Sequence, residues 1–256
     1  MADQSDTDGR RVLEVPVPSG GWRQPWPNVA ELERLLPCQH WTLIGGLMVQ
    51  AHTLHQGLDV VRPTQDIDVI VHVETTLGGS AQAADALETL GYRLQEPVDA
   101  RGRTAHRWLR GADIIDVVVA DHAPPSVRQR LRGYQMVAVE GGTQALRRTV
   151  IASLSIDPGR VTRISLPSAF AALVLKAAAH QVDSRDRGRH LQDAVALLAC
   201  VEDPLSDRAT FAGSDRKRLG HLARALEDSG NEVWLALPPV QRQQARAALE
   251  LLTAQP

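Results

Sequence analysis

The 256-residue sequence predicts an α+β fold in which a mixed α/β part is followed by a C-terminal helical bundle. Short apolar runs rich in β-branched residues alternate with helical patterns over residues 21–166, and this alternation is typical of a sheet with flanking helices. From residue 167 onward only helical patterns follow. We therefore expect a disordered tail over residues 1–20, an α/β domain over 21–166 and a helical domain over 167–256.

Composition narrows the classes of protein that the chain can belong to. Its apolar fraction of 43% is enough for a substantial core, which argues against global disorder. No apolar run approaches the ~20 residues of a transmembrane helix, and the polar, acidic N-terminus lacks the apolar segment of a secretory signal. Cys38 and Cys200 lie far apart without metal-ligand spacing, so we expect them to be buried thiols of a cytoplasmic protein without membrane association.

The first motif is a strand, a glycine pair and a helix. Trp41–Ile44 is short, apolar and partly β-branched, which indicates a buried strand. Gly45 and Gly46 interrupt it, and residues 47–55 continue with helical spacing. The start of a helix presents backbone N–H groups and a partial positive charge, a combination that favours phosphate. This segment is therefore a candidate phosphate site.

The second motif is the acidic pair of the run D-I-D-V-I-V. Alternate residues of a strand share a face, so Asp66 and Asp68 are expected to project together, about 7 Å apart at Cα, while Ile67 and Val69 face the core. Hard cations such as Mg²⁺ prefer carboxylate oxygens together with substrate phosphates. We therefore predict that a divalent cation bridges the two carboxylates.

A third acid lies in the strongest of the later strand patterns, over residues 114–120. Asp116 interrupts an apolar β-branched run there, where a buried carboxylate without a partner would be unfavourable. A structural salt bridge or a role as third metal carboxylate would each explain it, whereas Asp113 is typical of a polar strand entry. Other patterns predict strands at 92–95, 105–109, 136–139, 150–156 and 161–166, a helix ended by Gly91, and a short basic helix over 126–132.

Taken together, the glycine pair, the helix and the D-x-D strand resemble the signature of the nucleotidyltransferase (polymerase-beta-like) superfamily. G-G-L-M-V-Q-A-H followed by R-P-T-Q-D-I-D-V-I-V most resembles the AbiEii-type toxin nucleotidyltransferases of bacterial abortive-infection and toxin–antitoxin systems. Many superfamily members have Gly-Ser where this chain has a glycine pair, and Gly-Gly is common in the AbiEii-like branch. The resemblance implies that Gly45, Gly46 and Thr64 bind the nucleotide. It also implies that Mg²⁺ or Mn²⁺ is held by three carboxylates, those of Asp66, Asp68 and Asp116.

The resemblance extends into the helical part, to about Leu198. Lys176, one of only two lysines in the chain, interrupts an almost wholly apolar helix. It could snorkel to the surface, or it could serve as a point charge for phosphate. The AbiEii-like toxins resemble this region in carrying such a lysine, then a basic segment with an aspartate that Asp193 matches. Where those toxins commonly have Lys-Asp, this chain has Arg189-His190. The resemblance implies catalytic roles for Lys176 and Asp193, and helices are predicted at 168–182, 189–201, 216–226 and 240–252.

The resemblance implies transfer of a nucleoside monophosphate from an NTP to an acceptor hydroxyl, such as a tRNA 3′ end, by a toxin restrained by an antitoxin. Residues 101–163 carry 11 arginines and 5 acids, a surplus of +6, whereas residues 1–100 carry 6 basic and 14 acidic side chains, giving −8. That surplus predicts RNA binding, with an ordinary arginine-rich surface as the alternative.

Two further functions remain open at this point. The same chemistry could act on a small molecule, such as an aminoglycoside, or on a protein hydroxyl. Alternatively, the chain could be a catalytically silent module that binds nucleotide or RNA. Three clustered acids argue against silence, since a binding module does not need them.

Overall fold

The computed structural model describes residues 9–58, 62–97, 99, 102–123, 130–227 and 232–254. The strands among these residues are β1 (Val12–Val15), β2 (Trp41–Ile44), β3 (Asp66–Val71), β4 (Arg93–Leu94), β5 (Arg107–Arg110), β6 (Asp113–Ala120), β7 (Arg130–Leu131), β8 (Tyr134–Gln135), β9 (Ala138–Val139), β10 (Thr149–Leu154) and β11 (Thr162–Pro167). The α-helices are α1 (Trp26–Leu35), α2 (Gly45–His55), α3 (Gly79–Thr89), α4 (Gly142–Leu146), α5 (Ala169–Val182), α6 (Arg187–Leu198), α7 (Pro204–Ala209), α8 (Asp215–Leu226) and α9 (Pro239–Thr253), and a 3₁₀-helix covers Glu232–Ala236.

The main sheet is mixed, which confirms the predicted α+β class. Its strand order is β2-β3-β6-β5-β4, with β9 beside β6. Strand β3 runs antiparallel to β2 and parallel to β6, and β5 runs antiparallel to β6. Strands β3 and β6 are central and rich in valine and isoleucine, as expected for strands covered on both faces. The two strands that carry the predicted acids are therefore neighbours.

A second sheet has the order β1-β10-β11, and it corrects the prediction of a disordered tail over residues 1–20. Strand β1 pairs in parallel with β10, and its side chains Leu13 and Val15 are buried. The sequence V-L-E-V alternates apolar and polar residues, so one face of a short strand can enter the core. Residues 1–8 of the predicted tail lie outside the described part of the chain.

Strands end at Pro167, and the described residues beyond it form helices, at the position where the sequence predicts the change. Helix α5 begins after Ser168, whose Oγ accepts a hydrogen bond from the backbone N–H of Ala171. Its side chains are mostly buried, and apolar residues of both parts form one continuous core. Among the described residues, no helix is long and apolar enough to cross a membrane.

The basic helix predicted over residues 126–132 is wrong where the structure describes it. Arg130–Leu131 forms strand β7, which pairs with β8 in a two-stranded antiparallel ribbon. A Gly133 with φ of +94° lies in the tight turn between them, a conformation that glycine adopts without strain. Residues 124–129 lie outside the described ranges. The short helices α4 and α7, of 5 and 6 residues, were not predicted because they are too short to show a helical period.

Candidate functional site

Three carboxylates meet where β3 and β6 lie side by side. The parallel register places Asp68 directly opposite Asp116, and Asp66 lies two residues earlier on the same face of β3. One carboxylate oxygen from each of the three residues lies within 4.8 Å of the other two. We call Asp66, Asp68 and Asp116 the acidic trio. Oxygen donors at this spacing can hold a divalent cation.

The glycine pair allows the acidic trio to lie against the start of helix α2. Gly45 has a φ of +72°, a left-handed conformation that favours glycine. A Cβ atom at Gly45 would lie 1.9 Å from Oδ2 of Asp68, so any other residue would push the carboxylate away. Among the residues that the structure describes, no side chain caps the first turn of α2. Its leading N–H groups are therefore available to a phosphate beside the acidic trio.

Thr64 lies beside the second glycine. A Cβ atom at Gly46 would lie 2.9 Å from the side chain of Thr64, so this close approach also requires glycine. The hydroxyl of Thr64 donates a hydrogen bond of 2.7 Å to Oδ1 of Asp66. In the structure Thr64 therefore orients an acid of the trio as well as lying next to the predicted phosphate site.

Asp68 is the acid whose ionisation is most disturbed. Burial and the neighbouring Asp66 carboxylate raise the pKa of Asp68 to about 7, because a charge in an apolar site and beside a like charge is unfavourable. Lys176 opposes this rise through its positive charge. A cation bound by the trio would favour the ionised form of Asp68.

Asp116 takes part in a salt bridge and also belongs to the acidic trio, the two explanations that the sequence leaves open. Its two oxygens accept hydrogen bonds from Arg107, at 2.9 Å from Nε and 2.7 Å from Nη2. Arg107 lies opposite Asp116 in the antiparallel register of β5 and β6. The salt-bridge alternative is thus confirmed, and Asp116 also belongs to the acidic trio.

A second cluster, made of two cations around one aspartate, connects the loop before β3 with helices α5 and α6. Asp193 is 2% exposed, and it pairs with Lys176 at 2.7 Å and with Arg62 at 3.0 Å. Burial alone would raise the pKa of Asp193, but the charges of Lys176 and Arg62 lower it below its ordinary value. Asp193 therefore holds two cations in place. Lys176 is buried, so it does not snorkel to the surface, and its role as a point charge for phosphate stays a prediction.

The acidic trio and these cations line one cleft of about 380 Å³. Seven of the eight predicted site residues line it, namely Gly45, Gly46, Thr64, Asp66, Asp68, Asp116 and Lys176. Asp193 does not line the cleft and contacts it only through Lys176 and Arg62. This position suits a residue that orients Lys176 and Arg62, and the catalytic role of Asp193 stays a prediction.

Seven further polar residues that the sequence did not assign to the site line the cleft, and four of them are arginines: Arg62, Arg107, Asp183, Arg185, Asp186, Arg189 and His190. His190 and Arg189 each donate to Oδ2 of Asp183, at 3.0 Å. Asp183 also accepts from the backbone N–H groups of Arg185 and Asp186. These bonds hold the pKa of Asp183 well below its ordinary range. Burial lowers the pKa of His190, which favours a neutral imidazole.

Nearly half of the arginines of residues 101–163 are bound to acids of the same chain. Five of the eleven form an ion pair with a carboxylate, namely Arg107, Arg110, Arg132, Arg148 and Arg160. Arg101 and Arg128 lie outside the described residues. These five pairs agree with the alternative of an ordinary arginine-rich surface. Among the described arginines of this segment Arg107 alone lines the cleft, and the other cations that line it come from elsewhere in the chain.

Comparisons with known proteins give no match: no protein-family model, no curated protein and no solved structure matches this chain.

Proposed function

We propose that this protein is a metal-dependent nucleotidyltransferase that moves a nucleoside monophosphate from an NTP to an acceptor hydroxyl. The observation that carries the proposal is the convergence of three carboxylates within 4.8 Å next to the uncapped start of helix α2. A phosphate-binding helix start next to three carboxylates suits a divalent cation that bridges the phosphate and the carboxylates.

The residues fit such a cation and its nucleotide. Asp66, Asp68 and Asp116 supply the hard oxygen donors that Mg²⁺ and Mn²⁺ accept. When bound, the cation would neutralise the negative charge that develops on the transferring phosphoryl group. The N–H groups at the start of α2 and the ammonium group of Lys176 would bind phosphate oxygens.

The reaction is a displacement at the α-phosphorus. The acceptor oxygen forms a bond to that phosphorus, the bond to the bridging oxygen breaks, and pyrophosphate leaves with the electron pair. Asp116, as a carboxylate of the trio, would accept the proton of the acceptor hydroxyl. Lys176, positioned by Asp193, stabilises the departing pyrophosphate by charge.

The acceptor that we propose first is RNA, such as a tRNA 3′ end, in a cytoplasmic toxin restrained by an antitoxin. Support comes from the sequence resemblance and from the arginines that line the cleft, whose charge suits a nucleic-acid strand. Two of them, Arg62 and Arg189, are themselves paired with Asp193 and Asp183. The segment of residues 101–163 supports RNA binding less, because five of its arginines have carboxylate partners.

Those same ion pairs favour a second candidate, the same transfer to a small molecule or to a protein hydroxyl. An acceptor of that kind contacts few phosphates and needs no extended basic surface. The two candidates share the cleft, the acidic trio and the nucleotide, and they differ only in the acceptor.

Incubation of the protein with each α-³²P-labelled NTP, Mg²⁺ and total tRNA tests the proposal. We expect label to move to RNA with one or two of the four nucleotides, and EDTA to abolish the transfer. Label on the protein itself or on an added aminoglycoside would favour the second candidate. Absence of transfer to any acceptor with every nucleotide would contradict the proposed activity.

A further inference from the structure

Arg107 lies opposite Asp116, one acid of the trio, and forms a hydrogen bond with each of its carboxylate oxygens. The antiparallel register of β5 and β6 sets Arg107 against Asp116, and the guanidinium donates one hydrogen bond to each carboxylate oxygen, at 2.9 and 2.7 Å. Two parallel bonds between arginine and a carboxylate are a strong and geometrically specific contact. Both oxygens of Asp116 are thus engaged before any metal binds.

The same guanidinium faces the rest of the acidic trio. The charges of Asp66 and Asp68 act on Arg107 together with that of Asp116 and raise the pKa of Arg107. Arg107 also lines the cleft, with 39% of its side chain exposed, whereas the side chain of Asp116 is only 10% exposed. The arginine can therefore turn toward the cleft, whereas the buried aspartate is held by its strand.

We propose that Arg107 is an exchangeable counter-ion of the acidic trio, displaced from Asp116 when a divalent cation and nucleotide bind. The inference rests on the proposed function only in taking the trio as a metal site. Once displaced, the guanidinium remains on the cleft wall and binds phosphate oxygens of the nucleotide, which a planar fork of donors suits well.

This exchange couples metal binding to nucleotide binding. A metal ion that binds alone competes with the guanidinium of Arg107 for the carboxylate of Asp116, so its apparent affinity is reduced while the pair is closed. When nucleotide is present, Arg107 gains a new anionic partner and that penalty is removed. Each ligand then strengthens the binding of the other by the same factor.

The substitution Arg107→Gln tests two roles of Arg107, its competition with the metal ion for Asp116 and its contact with phosphate. It removes the competing charge, so Mn²⁺ alone is expected to bind about tenfold more tightly than to the wild-type protein. It also removes the proposed phosphate partner, so the gain in Mn²⁺ affinity on adding inorganic tripolyphosphate is expected to shrink. Tripolyphosphate serves as the probe because it carries the charge of an NTP without a base.

The matched control is Arg110→Gln. Arg110 lies on the same strand and pairs with acids, Asp113 and Glu31, that are not part of the trio. It removes the same charge from the protein and is expected to leave Mn²⁺ affinity within twofold of wild type. If Arg107→Gln does not fold, Arg107→Lys keeps the charge but loses the paired hydrogen bonds, and an intermediate rise in affinity is expected.

The decisive experiment is a titration of full-length protein with Mn²⁺, followed by the electron paramagnetic resonance signal of free Mn²⁺, with and without tripolyphosphate. Tighter binding of Mn²⁺ alone to the Arg107 variant, with reduced coupling to tripolyphosphate, supports the exchange. Equal or weaker binding, or no Mn²⁺ binding by any variant, overturns it. Expected Mn²⁺ behaviour together with no transfer of any NTP would overturn the proposed function alone and leave this inference in place.

Discussion

Two aspartates, Asp68 in the cleft and Asp193 beside it, have opposite surroundings. Asp68 lies beside Asp66 and opposite Asp116, and its pKa is raised to about 7. Asp193 lies between Lys176 and Arg62, and its pKa is lowered. The same side chain is therefore unfavourable as an anion at one position and stabilised as an anion at the other.

The difference separates a cluster in which one carboxylate has two cationic partners from a trio of carboxylates with a single bonded cation, Arg107. Asp193 already has two cationic partners within the chain. The acidic trio has Arg107 on Asp116, yet burial and Asp66 still disfavour the anion of Asp68. We infer that Asp193 serves the structure and that Asp68 serves a bound cation. Each prediction below tests that division.

The largest effect is expected from Asp68→Asn. Loss of one carboxylate from a metal site should lower nucleotide transfer on the order of a thousandfold. The free energy of unfolding should stay level or rise, because a disfavoured buried charge is removed. The measurements are label transfer from NTP and urea denaturation, with Asp113→Asn on strand β6 as a control outside the cleft. Normal transfer by the Asp68 variant would falsify the assignment of the acidic trio.

Asp193→Asn should act mainly on stability. It leaves Lys176, which is 6% exposed, without its anionic partner, and breaking a buried ion pair from one side lowers the free energy of unfolding by about 3 kcal/mol. Urea denaturation should give a lower midpoint with an unchanged slope. A midpoint equal to that of wild type would mean that Asp193 does not have the structural role inferred here.

Lys176→Met tests the phosphate contact. Methionine keeps the apolar stem packed and removes the charge, so nucleotide should bind with a dissociation constant roughly tenfold higher. Isothermal titration with each NTP and Ca²⁺, which does not support most transfers, measures binding without turnover. The idea is wrong if Lys176→Met binds nucleotide as tightly as wild type while remaining folded. Lys217→Met, on α8, provides a control for loss of a lysine elsewhere.

The two aspartates should also give opposite pH dependences of stability without metal. Because the pKa of Asp68 rises from 3.8 to about 7 on folding, its contribution to stability is full below pH 3.8 and is lost as pH rises through 7. Asp193, with a lowered pKa, contributes above its ordinary pKa and loses that contribution as pH falls through its lowered value. Denaturation of wild type, Asp68→Asn and Asp193→Asn across pH 3–8 should assign each slope to its residue.

Metal affinity should follow the pKa of Asp68 as well. Below pH 7 a proton must leave Asp68 before the cation binds, so the affinity for Mn²⁺ should fall roughly tenfold per pH unit. Titrations at pH 5.5, 6.5 and 7.5 measure this. An affinity that does not change over the range would contradict a role for Asp68 as a ligand.

The sequence predicts much of the cleft because local patterns carry it. The strand period places Asp66 and Asp68 on one face. The glycine pair indicates a close contact of the backbone, which the structure shows between Gly45 and Asp68. Asp116 stands out because a carboxylate interrupts an apolar run. These features depend on residues close in the chain or on one pairing of two strong strands.

What the sequence did not predict depends on pairing between distant segments. Arg107 faces Asp116 only because of the register of β5 with β6, and Arg62 reaches Asp193 across 131 positions of sequence. Strand β1 was missed because its short V-L-E-V run is stabilised by β10, more than a hundred residues later. Register and long-range pairing of this kind are not visible in one sequence without homologues.

The central claim is that the acidic trio binds a divalent cation that the cluster around Asp193 does not need. Mn²⁺ titration at pH 7.5 of wild type, Asp68→Asn and Asp193→Asn tests it most directly. The account predicts that wild type and a folded Asp193→Asn bind Mn²⁺ with similar affinity, whereas Asp68→Asn binds at least about a hundredfold more weakly. Equal binding by wild type and Asp68→Asn, or no binding by wild type, would contradict the account.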